Sequence, residues 1–249
     1  MKVDIKIPTK LEEISLGNYQ KFMKASDQTN DDTFLFEKMV EIFCDIQLME
    51  VIQIKWTDVQ YIVQKITNAF QQKPDFVQTF KIENIEFGFI PNLEQMTFGE
   101  FIDLQTNIDN IEDFHKAMAV MYRPITEKRK ERYLIEDYIS TANYADLMKF
   151  APVNVAMAAK VFFCDLQKDL LKATLTYLNR NLMTEDMETF QKEFSLQSGG
   201  VGIHQYMQSL EEILTSLEKQ QGCPYMTALH SSLLKSKKEV SRIMRYKDN

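Results

Sequence analysis

Apolar residues recur at helical spacing along most of this chain, with polar residues filling the positions between. Leu16, Tyr19, Phe22 and Met23 share one face behind Ser15, a residue suited to cap a helix. Phe36, Met39, Val40, Phe43 and Cys44 form a second stripe behind Thr33, the expected cap there. Thr57-Asp58-Val59-Gln60 has the form of a capping box and opens a third stripe through Val59, Ile62, Val63, Ile66 and Phe70. Pro152 fits the first position of a long helix reaching Asn181, where a missing amide hydrogen costs nothing.

Three stretches break the rhythm. "VDIKIP" (Val3–Pro8) alternates and stops at a proline, which predicts a short strand. "TFKIENIEFGFI" (Thr79–Ile90) alternates on both sides of Glu83-Asn84, so a hairpin is expected, with Asn84 tolerating the left-handed backbone of its turn. Thr97-Phe98-Gly99-Glu100 then reads as a capping box starting a helix, which kinks near Asn107 to Asp109 and closes at Pro124. The third stretch, "ITEKRKERYLIEDYIS", is a charged excursion with a short strand from Tyr133 to Tyr138. A lone hairpin is too small to be stable. Its candidate partners are "VDIKI", the first choice, "RYLIEDY", or a strand added by a neighbouring subunit.

The expected fold is therefore mainly α with a small β element, a helix-dominated α+β class. Residues 1–195 make a multi-helix body. "SLQSGGVG" (Ser195–Gly202) is a flexible-looking linker, and residues 203–249 form a C-terminal helical hairpin. Its helices, Ile203–Gln221 and Met226–Tyr246, are joined at Gly222-Cys223-Pro224.

Composition narrows the function classes. With 45% hydrophobic and 26% charged residues in 249, the chain has the makeup of a folded globular protein. A net charge of −7 disfavours general binding to phosphate backbones. Cys44, Cys164 and Cys223 are far apart and fit neither a disulfide framework nor metal spacing. "MKVDIKIPTK" lacks the apolar run of a secretory leader, and no stretch reads as a membrane span, so synthesis in a cytoplasm is expected.

Candidate chemistry is thin. His115, His204 and His230 have no histidine or cysteine at helical metal spacing, and His115 sits at the edge of an apolar face. Asp31-Asp32, Glu136-Asp137 and Glu211-Glu212 read as solvated acidic pairs. "GGVG" at Gly199–Gly202 has neither the lysine nor the preceding strand of a phosphate loop. No enzyme, cofactor or metal site is expected. Met118, Met121, Met148, Met157, Met183 and Met187 read as core filler, with a Met-rich docking surface as the sharper alternative.

"EFGFIPNLEQMTFGEFIDLQ" (Glu86–Gln105), "DFHKAMAVMYRPI" (Asp113–Ile125), "YLIEDY" (Tyr133–Tyr138) and "IKIPTKLEEISLGNYQKFM" (Ile5–Met23) together carry a resemblance. The first two thirds of the chain resemble proteins encoded among the virion genes of tailed Bacteroidetes bacteriophages, the crAss-like phages included. Such proteins serve in head-to-tail or tail assembly as ring, connector or tail assembly components. The resemblance implies a structural subunit of the tail or portal-proximal ring, made in the bacterial host cytoplasm and retained in the virion. Its partners would be portal, ring or tail subunits in a multi-copy ring. The alternative it leaves open is a tail or baseplate assembly chaperone absent from the mature particle. No catalytic residue transfers with it.

The final helix supplies the candidate partner-binding residues. Lys235, Lys238, Arg242 and Arg245 recur at three- and four-residue spacing and share a face, while Leu233, Leu234, Val240, Ile243 and Met244 occupy much of the rest. A solvated helix end whose cations suit its dipole is the bland reading. An acidic neighbouring subunit is the favoured partner. DNA is the weaker one, because four charges and Tyr246 alone make a poor phosphate and stacking platform.

Overall fold

The computed structural model describes residues 5–29, 31–72, 74–130, 132–182 and 203–219. In chain order these form α1 (Leu16–Asp27), α2 (Asp32–Cys44), α3 (Leu48–Val51), α4 (Trp56–Phe70), β1 (Thr79–Ile82), β2 (Ile85–Phe89), α5 (Phe98–Ile108) and α6 (Phe114–Met121). Then come β3 (Tyr122–Arg129), β4 (Arg132–Ile135), α7 (Ala145–Met148), α8 (Val153–Leu182) and α9 (Ile203–Lys219). The class is helix-dominated α+β, with one four-stranded antiparallel sheet in the order β1-β2-β3-β4. Contacts divide the described residues into a body ending at Ala159 and a second unit beginning at Lys160, with α8 contributing to both.

The helix stripes are where periodicity places them, but two caps are not. Ser15 accepts from the Asn18 amide at 3.2 Å, as expected. Thr33 does not cap α2; the Asp31 carboxylate accepts from the amides of Thr33 and Phe34 at 2.9 and 3.4 Å. A charged acceptor suits the positive helix end better than a hydroxyl. Thr57 does not cap α4 either. That helix begins at Trp56, and the amides of Asp58 and Val59 donate to the Lys55 carbonyl, so its first turn closes on backbone alone. Pro152 lies one residue before α8, and its carbonyl accepts from Val155 and Ala156.

Ile5–Pro8 is not a strand. The hairpin pairs instead with β3, through Phe87↔Pro124, Gly88↔Arg123 and Phe89↔Tyr122. The helix expected to run to Pro124 stops at Met121, and the same chain continues as the third strand. Proline disfavours helical backbone at the residue before it, so Arg123 is driven to extended conformation and Tyr122 already has φ −122° and ψ 123°. The charged excursion is the rest of β3 and β4, with β4 bounded at Arg132–Ile135 rather than Tyr133–Tyr138. In the β1–β2 turn, Glu83 rather than Asn84 takes the left-handed φ, 51°.

One glycine is required by the sheet. Tyr133 of β4 reaches across β3 and donates from its hydroxyl to the Phe89 carbonyl at 2.8 Å. Its ring passes over Gly88, where a Cβ would meet Tyr133 Cε2 at 2.5 Å and Ile125 Cγ1 at 3.0 Å. On the other side of the sheet region, Tyr122 donates to the Val77 carbonyl at 2.6 Å, and its ring meets those of Phe80 and Phe89 edge-on.

The core of the body is built on α6. Ala117, Met118, Ala119, Val120 and Met121 are all buried, which is why that segment looks apolar all round. Met118, Met121, Met148 and Met157 are therefore core; Met183 and Met187 lie outside the described residues. An aromatic cluster of Tyr19, Phe22, Phe43 and Phe70 joins α1, α2 and α4, with ring centres 5.2–5.7 Å apart. The start of α1 locks onto the entry to α8: Leu16 donates to the Ala151 carbonyl, Gly17 to Lys149 and Val153 to Ile14, at 2.7–2.8 Å. In the second unit, Leu175 and Leu178 of α8 pack with Met207 and Leu210 of α9.

Buried polar groups bind α1 to α6. The Gln20 side-chain amide donates to the Ile111 carbonyl at 2.7 Å and lies 3.1 Å from His115 Nδ1. Burial, with Lys149 and Lys116 adding to it, holds the His115 imidazole below its ordinary pKa; nearby Asp113 opposes this more weakly.

Two outcomes are expected. Gly88→Ala should lower stability by about 1–3 kcal/mol through forced displacement of the Tyr133 ring. An unaltered urea midpoint would contradict that packing. Because His115 is more acidic folded than unfolded, the unfolded chain takes up the proton first as pH falls. The His115 contribution is full above the unfolded pKa and declines as pH drops below it. Melting temperature should thus fall less between about pH 7.5 and about pH 5.5 in His115→Gln than in the native chain. Equal falls would remove His115 from the account.

Candidate interaction surface

α5 is firmly anchored and also faces solvent. The Thr97 side chain accepts from the Glu100 amide at 3.3 Å, and Glu100 Oε2 accepts from the Thr97 amide at 2.6 Å, completing the expected capping box. Glu100 has a second role that no local pattern announced. Its Oε1 lies 2.7 Å from Arg123 Nη2 of β3, and the two side chains are only 4% and 10% exposed. The guanidinium carbon of Arg123 stands 5.7 Å from the Tyr138 ring centre, over its face. Tyr138 in turn donates to the Asp103 carboxylate, back on α5. Arg123 Nε is buried without a hydrogen-bond partner among the described residues.

Helix geometry decides what the outer side of α5 presents. Glu100, Leu104, Asn107 and Ile108 face inward and are buried. Phe98, Phe101 and Ile102, at i, i+3 and i+4, face outward, and Phe98 is 80% exposed. A helix apolar on both sides and pinned by an ion pair holds these side chains in a fixed array. A second exposed apolar group, Leu48, Met49, Ile52 and Trp56, lies at the α3–α4 corner, where the Trp56 ring sits 6.0 Å from that of buried Phe36. Large apolar groups in contiguous patches mark contact surfaces.

The residues singled out from sequence fare differently. Lys235, Lys238, Arg242 and Arg245 lie outside the described residues, as do the Ser195–Gly202 linker, Cys223 and His230. His115 is a buried, hydrogen-bonded core residue rather than one at the edge of a face. Cys44 is buried, and burial pushes its thiol up to about 11; Cys164 is half-buried. Glu136 accepts a hydrogen bond from the Tyr144 hydroxyl, which raises that phenol to about 12. Among the described residues, no three histidine, cysteine or carboxylate side chains gather as a metal set, and no helix is long and apolar enough to cross a membrane. No family model, curated protein or solved structure matches the chain.

Sequence reasoning found the cap at Glu100 but missed Arg123, and it did not notice the outward stripe. The stripe had a signal: Phe98, Phe101 and Ile102 repeat at helical spacing on the side away from Leu104 and Ile108. Arg123 had none, since its link to Glu100 spans a turn, a helix and a loop.

The anchor can be tested by separating its two functions. Thr97→Ala removes the cap alone and should cost about 1 kcal/mol. Arg123→Met leaves the buried Glu100 carboxylate unpaired and should cost about 3–5 kcal/mol. Adding Glu100→Leu to Arg123→Met should restore part of that loss in urea denaturation. Two losses that simply add would show that the pair is not coupled.

Proposed function

We propose that this protein is a structural subunit of a tailed bacteriophage virion, in the tail or the portal-proximal ring or connector region, and that it works by subunit packing. The observation carrying this reading is the outer face of α5. Phe98, Phe101 and Ile102 are held out to solvent by a capping box and a buried ion pair, an arrangement suited to contact and to no chemistry. The apolar corner around Trp56 supplies a second contact face. The resemblance of Ile5–Met23, Glu86–Gln105, Asp113–Ile125 and Tyr133–Tyr138 to phage head-to-tail and tail assembly proteins gives the setting. Portal, ring or tail subunits are the partners in view, with neighbouring copies of this chain in a multi-copy ring.

Mass spectrometry of purified particles of the encoding phage tests the reading. A structural subunit should be present at a fixed copy number relative to the portal protein. A chain abundant in infected-cell lysate and missing from particles would be an assembly chaperone instead, acting on a tail or baseplate component.

A further inference from the structure

The β3–β4 hairpin extends past the rest of the sheet. β2 pairs only with Tyr122–Pro124, and from Thr126 outward β3 is exposed, pairing with β4 alone. At its end, Arg129 lies directly opposite Arg132, on one face of the ribbon together with the exposed Leu134. Like charges set opposite each other across strands repel, so this pair works against the hairpin in the free chain. Arg129 is 87% exposed, and the carboxylate paired with it, Glu127, stands 3.7 Å away. Lys130 takes the left-handed φ of 57° in the turn and adds a third cation. The ribbon thus presents two adjacent guanidinium groups, suited to carboxylates and to aromatic faces, with an aliphatic side chain beside them.

A surface of matching chemistry exists on the same protein. From Ile82 to His115 the sequence holds eight carboxylates and no lysine or arginine. Glu86, Glu100, Glu112 and Asp113 are paired with cations from outside that run, and Glu94 and Asp109 are exposed at the two ends of α5. α5 lies inside that run. Its outward side chains are Phe98, Phe101 and Ile102, with exposed Glu94 ahead of the helix and exposed Asp109 at its end. Phenylalanine faces and carboxylates are what an arginine pair binds.

We infer that the β3–β4 hairpin tip of one copy docks on the outer face of α5 in a second copy. The two surfaces are different places on one molecule. The Glu100–Arg123 bond fixes α5 near the base of β3, and Lys130 is seven residues further along, roughly 23 Å of extended strand. A contact between unlike patches is head-to-tail, and such contacts close into rings or run on as filaments. This deepens the packing reading above and rests on it for its setting. A protein surface is favoured over nucleic acid because Glu127 shares the outer face of the ribbon and the chain carries a net charge of −7.

Charge exchange in the full-length chain decides it. Analytical ultracentrifugation should show self-association that weakens with salt. Arg129→Glu/Arg132→Glu and, separately, Glu94→Lys/Asp109→Lys should each weaken it by about tenfold or more. Mixing the two variants should restore association, since each then meets an opposite charge at both surfaces. Lys130→Glu serves as the milder tip variant if the double substitution fails to fold. Carbodiimide coupling of mixed light and heavy chains should join Lys130 to Glu94 or Asp109 between molecules. A monomeric native chain, unaffected variants, or a mixture that stays dissociated each overturns the contact. So does coupling of Lys235–Lys247 to α5 within one chain, or duplex DNA binding lost with the tip charges while self-association persists. A chain that is monomeric yet packaged at fixed copy number would sink this contact alone and leave the virion reading standing.

Discussion

The Glu100–Arg123 ion pair is the joint on which the body turns. One carboxylate caps α5 through the Thr97 amide and holds the start of β3 through Arg123. Desolvating both charges is costly, and the attraction offsets it only where geometry is good and neighbouring groups help. Here the help comes from the Tyr138 ring beneath the guanidinium and from the Tyr138 hydroxyl bound to Asp103. The result is a closed path from α5 to β3, to the segment after β4, and back to α5. That path fixes the orientation of α5, and with it the direction in which Phe98, Phe101 and Ile102 point.

The sheet depends on the same region. β3 is continuous with α6, the most buried helix of the body, so the sheet is attached covalently to the core as well as by packing. Its inner half pairs with β2 and is buried; its outer half pairs only with β4 and is solvated. Tyr133 links the two halves by crossing Gly88 to reach the Phe89 carbonyl. Pro124 is tolerated mid-strand, its carbonyl accepting from the Glu136 amide, with a register shift following between Ile125 and Glu127.

Two stretches of the chain differ sharply in charge. The hairpin end concentrates arginine and lysine, and the stretch containing α5 holds carboxylates alone. Both lie on a body whose interior polar groups, Gln20, His115 and Glu100, are bonded to specific partners. Those three buried groups hold elements together that are far apart in sequence.

By itself the sequence determined the apolar stripes of α1, α2 and α4, the β1–β2 hairpin and the capping box at Thr97, because periodicity, turn chemistry and capping act within a few residues. The caps at Asp31 and Lys55 were misplaced because several polar residues compete at a helix start, and the winner depends on how the preceding turn enters. Only the tertiary structure decided that Tyr122–Arg129 is a strand, that it and not Ile5–Ile7 partners the hairpin, and that Glu100 meets Arg123. The apolar residues of α5 were legible as helical, but which of its two apolar sides faces water was not. That choice follows from contacts between residues far apart in the chain, whose energies leave no mark on local spacing.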